Sequence, residues 1–142
     1  MRFMILLKAA PETEAGIPPG PEVFEAMARY NQELVDAGVM LAGEGLAPSS
    51  KGARITFEAG KSTVTDGPFA ETKELIAGFW MIQAKSLEEA VEWARRAPLD
   101  GGAVVEVRQI METDDFGDAV PAEVRAAEER MRAQVTRQQA DR

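Results

Sequence analysis

The chain has 142 residues, of which 45% are hydrophobic, and its 24 acidic and 16 basic side chains give a net charge of -8 at neutral pH. This length and composition are those of a single globular domain with, at most, a short extension. The negative charge argues against direct binding to nucleic acid, which depends on clustered Lys and Arg. No apolar run approaches the roughly 20 residues that cross a bilayer, so no membrane span is predicted.

Cysteine and histidine are both absent from the sequence. Without them the chain has no disulfide, no thiolate nucleophile and no Ser-His or Cys-His catalytic pair, and it lacks the commonest metal ligand. We therefore predict no metal site and no bound cofactor. The N-terminal segment, residues 1–8, is interpreted as a buried strand and not as a signal peptide, because its apolar core is short and no cleavage site follows. A cytoplasmic location is expected.

Hydrophobic periodicity and turn residues predict the secondary structure in chain order. Pro21 follows Gly20 and suits the first position of a helix, residues 58–61 suit a hairpin turn, and Ser86 with Glu89 forms a capping box. The predicted elements are a strand over 2–8, a loop over 9–20, a helix from Pro21 to about Ala37, strands over 39–42, 54–57, 62–65 and 77–84, a helix after Ser86, a strand over 103–110 and a helix from Pro121.

This order of elements predicts an α+β fold, a ferredoxin-like sandwich with two helices on one face of a mainly antiparallel sheet. Residues 1–111 would form this domain. Residues 112–142 would form a C-terminal amphipathic helical extension, because apolar side chains follow one stripe from Val124 to Val135. The open face of the sheet needs a cover, and either a second subunit packed sheet to sheet or the extension would supply it.

The segment TVTDGPFAETKE, residues 63–74, has two interpretations. As a turn, it is explained by Asp66, Gly67 and Pro68, which favour a sharp reversal of the backbone, with Phe69 packed beneath it. The turn would then only connect two strands.

As a site, the same segment offers charges that a turn does not need. Two carboxylates flanking the ammonium group of Lys73 form an acid/base set without histidine if a cleft buries them. Asp66 and Glu71 are the candidate catalytic residues. The candidate substrate-binding residues are Lys73, Glu74, Arg54 and Glu44, the last of which lies between two glycines where a ligand can approach closely.

Residues 46–98, LAPSSKGARITFEAGKSTVTDGPFAETKELIAGFWMIQAKSLEEAVEWARRAP, resemble the DGPF branch of the YCII-related domain family, and the resemblance extends over about residues 2–111. It implies a ferredoxin-like subunit in a dimeric α/β barrel, a cleft near the dimer partner, and an association with extracytoplasmic-function sigma factors. Some YCII-like proteins carry a His in the first helix and an Asp before the Pro that follows the second helix. The aligned residues here are Met27 and Ala97, so neither member of that dyad is present.

Two functional hypotheses follow. The first is a homodimer that binds a small organic molecule in a cleft at the dimer interface, with acid/base catalysis by carboxylates if a reaction takes place there. The alternative is a non-enzymatic regulatory or interaction protein, linked to sigma-factor-dependent transcription and acting on a protein partner. Whether the protein is an enzyme stays open at this point.

Overall fold

The computed structural model describes residues 1–70 and 72–142, with the side chain of residue 73 left out. The chain divides into two compact units, Met1–Ile110 and Met111–Arg142. The strands are β1 (Arg2–Lys8), β2 (Met40–Gly45), β3 (Ala53–Glu58), β4 (Lys61–Asp66), β5 (Ile76–Gln83) and β6 (Val105–Gln109), and the α-helices are α1 (Pro11–Glu14), α2 (Pro21–Asp36), α3 (Leu87–Arg95) and α4 (Ala122–Ala140). Short 3-10 helices cover Ser49–Lys51, Thr72–Glu74 and Thr113–Ala119.

The main sheet has four antiparallel strands in the order β2-β5-β1-β6. α2 connects β1 to β2 and α3 connects β5 to β6, so the predicted ferredoxin-like α+β fold is confirmed. The ribbon of β3 and β4 is inserted between β2 and β5 and forms a separate two-stranded sheet. It pairs Glu58 with Lys61 across its turn, as the hairpin signal predicts.

The core lies between the main sheet and the two helices α2 and α3. Alternation along each strand brings Phe3 beside Ile82 and Ile5 beside Trp80 on the face that the helices cover. The helices contribute small and large apolar side chains to the same cluster, which comprises Phe3, Ile5, Tyr30, Leu34, Val39, Trp80, Ile82, Ala84, Ala90 and Ala94.

Local signals set the ends of both core helices. α2 begins with Pro21 at its first position and ends before Gly38, whose φ of 72° lies in the left-handed region that glycine adopts without strain. At the start of α3, the Oγ atom of Ser86 accepts a hydrogen bond from the backbone N–H of Glu89 at 3.1 Å. The side chain of Glu89 accepts from the N–H of Lys85, at 2.8 Å from Oε2, so its partner is the residue before the N-cap and not the N–H of Ser86 that a capping box uses.

Several boundaries differ from those predicted. The loop over 9–20 contains α1, because Pro11 suits the first helical position and Thr13 Oγ1 accepts from the N–H of Ala10 at 2.8 Å. β2 continues to Gly45 because it stays paired with β5 up to that residue, and this pairing outweighs the low strand propensity of glycine. The last strand of the sheet begins at Val105 and not at residue 103.

The second unit contains the 3-10 segment Thr113–Ala119 and α4, whose N-cap is Pro121. Arg125 of α4 pairs with Asp114 and also donates to the carbonyl of Gly117 at 3.3 Å. The stripe of α4 is exposed, with Val124, Met131 and Val135 each about half accessible to solvent. Within the described residues, no helix combines the length and the apolar character needed to cross a membrane.

Three aromatic residues join α2, α3 and the sheet. The ring of Tyr30 meets that of Trp80 edge to face, with centroids 5.5 Å apart and planes at 89°. The hydroxyl of Tyr30 donates to the backbone carbonyl of Trp93 at 2.8 Å, which ties α2 to α3. Burial raises the pKa of Tyr30 to about 12, Glu33 adds to the rise, and Arg96 opposes it.

This raised pKa predicts a loss of stability at high pH. Between pH 10 and 12 an unfolded tyrosine releases its proton while the folded Tyr30 keeps it, so unfolding becomes easier as the pH rises through this window. The contribution is fully present below pH 10. We expect Tyr30→Phe to be less stable than the parent by about 1 kcal/mol at pH 8. Towards pH 12 the parent should lose between about 1 and 3 kcal/mol relative to Tyr30→Phe, so the difference in the free energy of unfolding should shrink or change sign.

Urea unfolding of the parent and of Tyr30→Phe, followed from pH 8 to 12, measures this difference directly. Comparing the two proteins cancels the ionisation of other groups that they share. Parallel stability curves over the whole range would show that the Tyr30 hydroxyl titrates as it does in the unfolded chain.

Candidate functional site

A cleft of about 220 Å³ opens between α2 and the half of the sheet formed by β2 and β5. The cleft lies on the face of the sheet that packs against the helices. Its lining residues come from four elements that are far apart in sequence. They are Leu7, Met27, Asn31, Gly43, Glu44, Gly45, Ala77, Gly78, Phe79 and Trp80.

Three glycines form the floor of the cleft. Gly43 pairs with Trp80 and Gly45 pairs with Gly78, so their missing side chains would all point towards α2. A Cβ atom at Gly78 would lie 2.9 Å from the carbonyl oxygen of Glu44, too close for the backbone to accommodate. A Cβ atom at Gly45 would meet nothing within 4 Å, because it would enter the open space of the cleft.

The other residues of the cleft are mainly apolar. Leu7 and Met27 are half-buried and pack against the core cluster. The indole N–H of Trp80 donates to the Oδ1 atom of Asn31 at 2.8 Å, which fixes the side chain of Asn31 at the edge of the cleft. Met27 and Ala97, which the sequence resemblance aligns with the dyad of some YCII-like proteins, both pack against the core. This arrangement offers space and hydrogen bonding but no acid/base pair at the two positions.

Glu44, predicted to bind substrate, lies beside this cleft in an unexpected orientation. It pairs with Phe79, whereas its two glycine neighbours pair with residues on the helix-facing side. Because side chains alternate along a strand, the carboxylate of Glu44 belongs to the opposite face of the sheet, and the residue contributes main-chain atoms to the cleft. The side chain is exposed.

The DGPF turn is held by Ser49, from the 3-10 helix that follows β2. The Oγ atom of Ser49 accepts from the N–H of Phe69 at 3.1 Å and donates to the Oε2 atom of Glu14 at 2.5 Å. Gly67 donates its N–H to the carbonyl of Gly52 at 3.0 Å, and the Gly67-Pro68 peptide bond is cis. These hydrogen bonds clamp the turn against Ser49 and Gly52, which gives the turn a structural role.

A second cavity, of about 280 Å³, lies beside this turn. Two of the predicted substrate-binding residues, Arg54 and Glu74, line it together with Phe69. The guanidinium group of Arg54 lies 4.0 Å from the centre of the Phe69 ring, a cation-π contact that occupies one face of the cation.

The remaining predicted site residues fall elsewhere. Asp66 is exposed at the end of β4, opposite Ala53, and lines neither cavity. Glu71 and the side chain of Lys73 lie outside the described residues. The structure therefore brings Arg54 and Glu74 together and places Glu44 at the other cleft.

Sequence reasoning did not assign Asn31 and the three floor glycines to a site. The signal available was the pair of glycines around Glu44, which also suited a strand bulge. The structure has a register shift between Met40 and Ala42, so the irregularity in β2 precedes these glycines. In the part of the chain that is described, no group of three or more acidic side chains is placed to hold a metal ion.

The first unit is thus an α+β domain with a glycine-floored cleft between a helix and the sheet. The profile of the YCII-related domain family matches residues 1–114, and the chain belongs to that family. An uncharacterised protein of Rhizobium meliloti is 38% identical over 73 residues, which cover 51% of this chain and 59% of that protein.

Among solved structures, the chain is similar to 5-chloro-2-hydroxyhydroquinone dehydrochlorinase (TftG) from Burkholderia phenoliruptrix, in complex with 2,5-dihydroxybenzoquinone. The likeness has a TM-score of 0.40 at 18% sequence identity, and it covers 81% of this chain and 99% of that one. A score this low describes a loose similarity of shape and says nothing about a ligand of this chain.

The close packing of the DGPF turn gives a prediction for Gly67. A Cβ atom at this position would overlap the carbonyl oxygen of Ser49, which is backbone and cannot rotate away. We expect Gly67→Ala to lower the free energy of unfolding by about 1 to 3 kcal/mol. Gly52→Ala, where the nearest atom would be 3.5 Å away, is the matched control and should change it little. Equal urea midpoints for the two variants would contradict the close packing of Gly67 against the carbonyl of Ser49.

Proposed function

We propose that this protein binds a small, uncharged and largely apolar organic molecule in the cleft between α2 and the strands β2 and β5. The observation that carries the proposal is the glycine floor. Gly45 and Gly78 face each other in paired strands without side chains, and a Cβ atom at Gly45 would meet nothing within 4 Å, so the layer of side chains between the sheet and the helices has a gap there. Glycine weakens a strand interior and often marks the close approach of a ligand.

The size of the cleft suits a molecule with one ring. A buried apolar cavity of about 150 Å³ is large enough to take benzene. The cleft here measures about 220 Å³, so a six-membered ring with one or two substituents would fill it. Leu7 and Met27 offer apolar contact to such a ring, and the exposed main chain of Gly45 lets it approach the strand closely.

The same residues support binding more than catalysis by carboxylates. In the described part of the chain, Glu44 is the one charged residue of the lining, and strand alternation directs its carboxylate to the opposite face. The catalytic roles predicted for Asp66 and Glu71 stay predictions. The predicted homodimer also stays a prediction, and the proposed ligand does not need it, because the cleft opens on the helix-covered side whereas sheet-to-sheet pairing would use the other face.

The regulatory alternative has a separate observation in its favour. Val124, Met131 and Val135 form an exposed apolar stripe on α4, and a protein partner would cover a surface of this kind. We retain this as a second candidate function, located in the unit Met111–Arg142. A pull-down with the full chain and with Met131→Glu would test it, since a partner that uses the stripe should be lost from the variant.

Filling the cleft should abolish ligand binding without harming the fold. In Gly45→Val the added side chain would enter open space, so we expect the free energy of unfolding to change by less than about 1 kcal/mol. The affinity for ethylbenzene and acetophenone, two probes with one ring, should fall by at least about tenfold because the ring and the new side chain compete for one volume. Titrations followed by the indole N–H resonance of Trp80 measure this change.

Ala53→Val is the matched control for this experiment. It adds the same side chain at an exposed strand position that does not line the cleft. The control should bind both probes as the parent does. If neither probe binds the parent, or if Gly45→Val binds them as well as the control does, the proposed cleft does not hold a ligand.

A further inference from the structure

The hydrogen bond between Trp80 and Asn31 determines which way the amide of Asn31 points. An indole N–H can only donate, so the Asn31 atom 2.8 Å away must be the acceptor, Oδ1. The amide nitrogen, Nδ2, then occupies the other position of the group. No hydrogen bond donated by Nδ2 is present among the described residues, and the atom is not buried without a partner. Asn31, which lines the cleft, therefore has N–H donors that no described residue engages.

This donor is held in place by a chain of contacts. Trp80 is 6% exposed and packs edge to face on Tyr30, and Tyr30 is in turn anchored by its hydroxyl to the backbone of Trp93. Rotating the Asn31 amide by 180° would place an NH₂ group against the indole N–H and leave both donors unsatisfied. The bond to Trp80 thus fixes the orientation of the amide of Asn31, a residue that lines the cleft.

The other lining residues restrict the ligand further. Among the described residues that line the cleft there is no Lys or Arg, so an anionic ligand would lose hydration without gaining a countercharge from them. The Oδ1 atom of Asn31 already accepts one hydrogen bond from Trp80, so the amide offers a ligand two N–H donors against a single remaining lone pair. A group that only accepts hydrogen bonds and carries no charge fits best.

We propose that Asn31 is the specificity-determining residue of the cleft and that it selects an uncharged ring compound bearing a carbonyl oxygen. The carbonyl accepts one or both N–H groups of Asn31 while the ring lies over the glycine floor. This inference rests on the proposed function, since it names the ligand class of the same cleft.

The test compares three compounds of similar size on the full chain: acetophenone, ethylbenzene and benzoate. Acetophenone should bind about three- to tenfold more tightly than ethylbenzene, which is the range of one neutral hydrogen bond. Benzoate should bind more weakly than acetophenone by a similar factor or more. Each affinity is measured by titration of the Trp80 indole resonance, assigned with a Trp93→Phe variant.

The Asn31→Asp variant removes the N–H donors and keeps the hydrogen bond from Trp80, because a carboxylate oxygen still accepts from the indole N–H. Its indole resonance should stay in the hydrogen-bonded range, and the ratio of the acetophenone and ethylbenzene affinities should fall to about one. Gln109→Glu makes the same amide-to-acid change at an exposed strand position outside the cleft and should keep the ratio of the parent.

The outcomes separate this inference from the proposed function. The inference is overturned if acetophenone and ethylbenzene bind equally, or if benzoate binds as tightly as acetophenone. The proposed cleft is still supported in that case, provided that Gly45→Val abolishes the binding. An unchanged preference in Asn31→Asp also overturns it, because another group would then read the carbonyl. If no compound binds in a manner that Gly45→Val abolishes, the proposed function fails and the inference fails with it.

Discussion

The buried indole of Trp80 is the constraint on which the first unit depends. A large aromatic side chain in the centre of the sheet contributes most when it is fully covered, but its N–H must keep a hydrogen bond once water is removed. The Oδ1 atom of Asn31 accepts that hydrogen bond at 2.8 Å, and Tyr30, the preceding residue of α2, covers the indole ring. Because both residues belong to α2, satisfying one indole fixes the position of the helix over the sheet.

The cleft follows from the same arrangement. With α2 held against Trp80, the neighbouring positions on β2 and β5 would normally carry side chains that fill the space beneath the helix. Gly45 leaves part of that space empty, whereas the space at Gly43 is taken by the side chains of Met40 and Trp80. The close approach of the Gly78 backbone to Glu44 allows no larger residue at Gly78. The contacts that stabilise the core therefore also shape the cleft and orient the side chain of Asn31. Fold and site share a single cluster.

Much of the fold could be predicted because its signals are local. The helix after Gly20, the hairpin turn around residues 58–61 and the cap at Ser86 are each set by residues within one turn of the chain, and the structure has all three. The site is a different matter. The DGPF turn is conspicuous in the sequence, yet its clamp depends on Ser49 and Glu14, which are 20 and 55 residues away from Phe69. The glycine-floored cleft joins positions from β1, α2, β2 and β5, and no short-range pattern reveals which glycines will face one another.

Hydrogen exchange at the indole N–H of Trp80 tests this account most directly. If Asn31 holds that group inside the cluster, the proton should exchange far more slowly than that of an exposed indole, because exchange requires α2 to separate from the sheet. We expect protection close to that of the slowest backbone amides of β1 and β5. Exchange at the rate of an exposed indole would show that the bond to Asn31 is not maintained, and the fixed donor and the shape of the cleft would lose their basis.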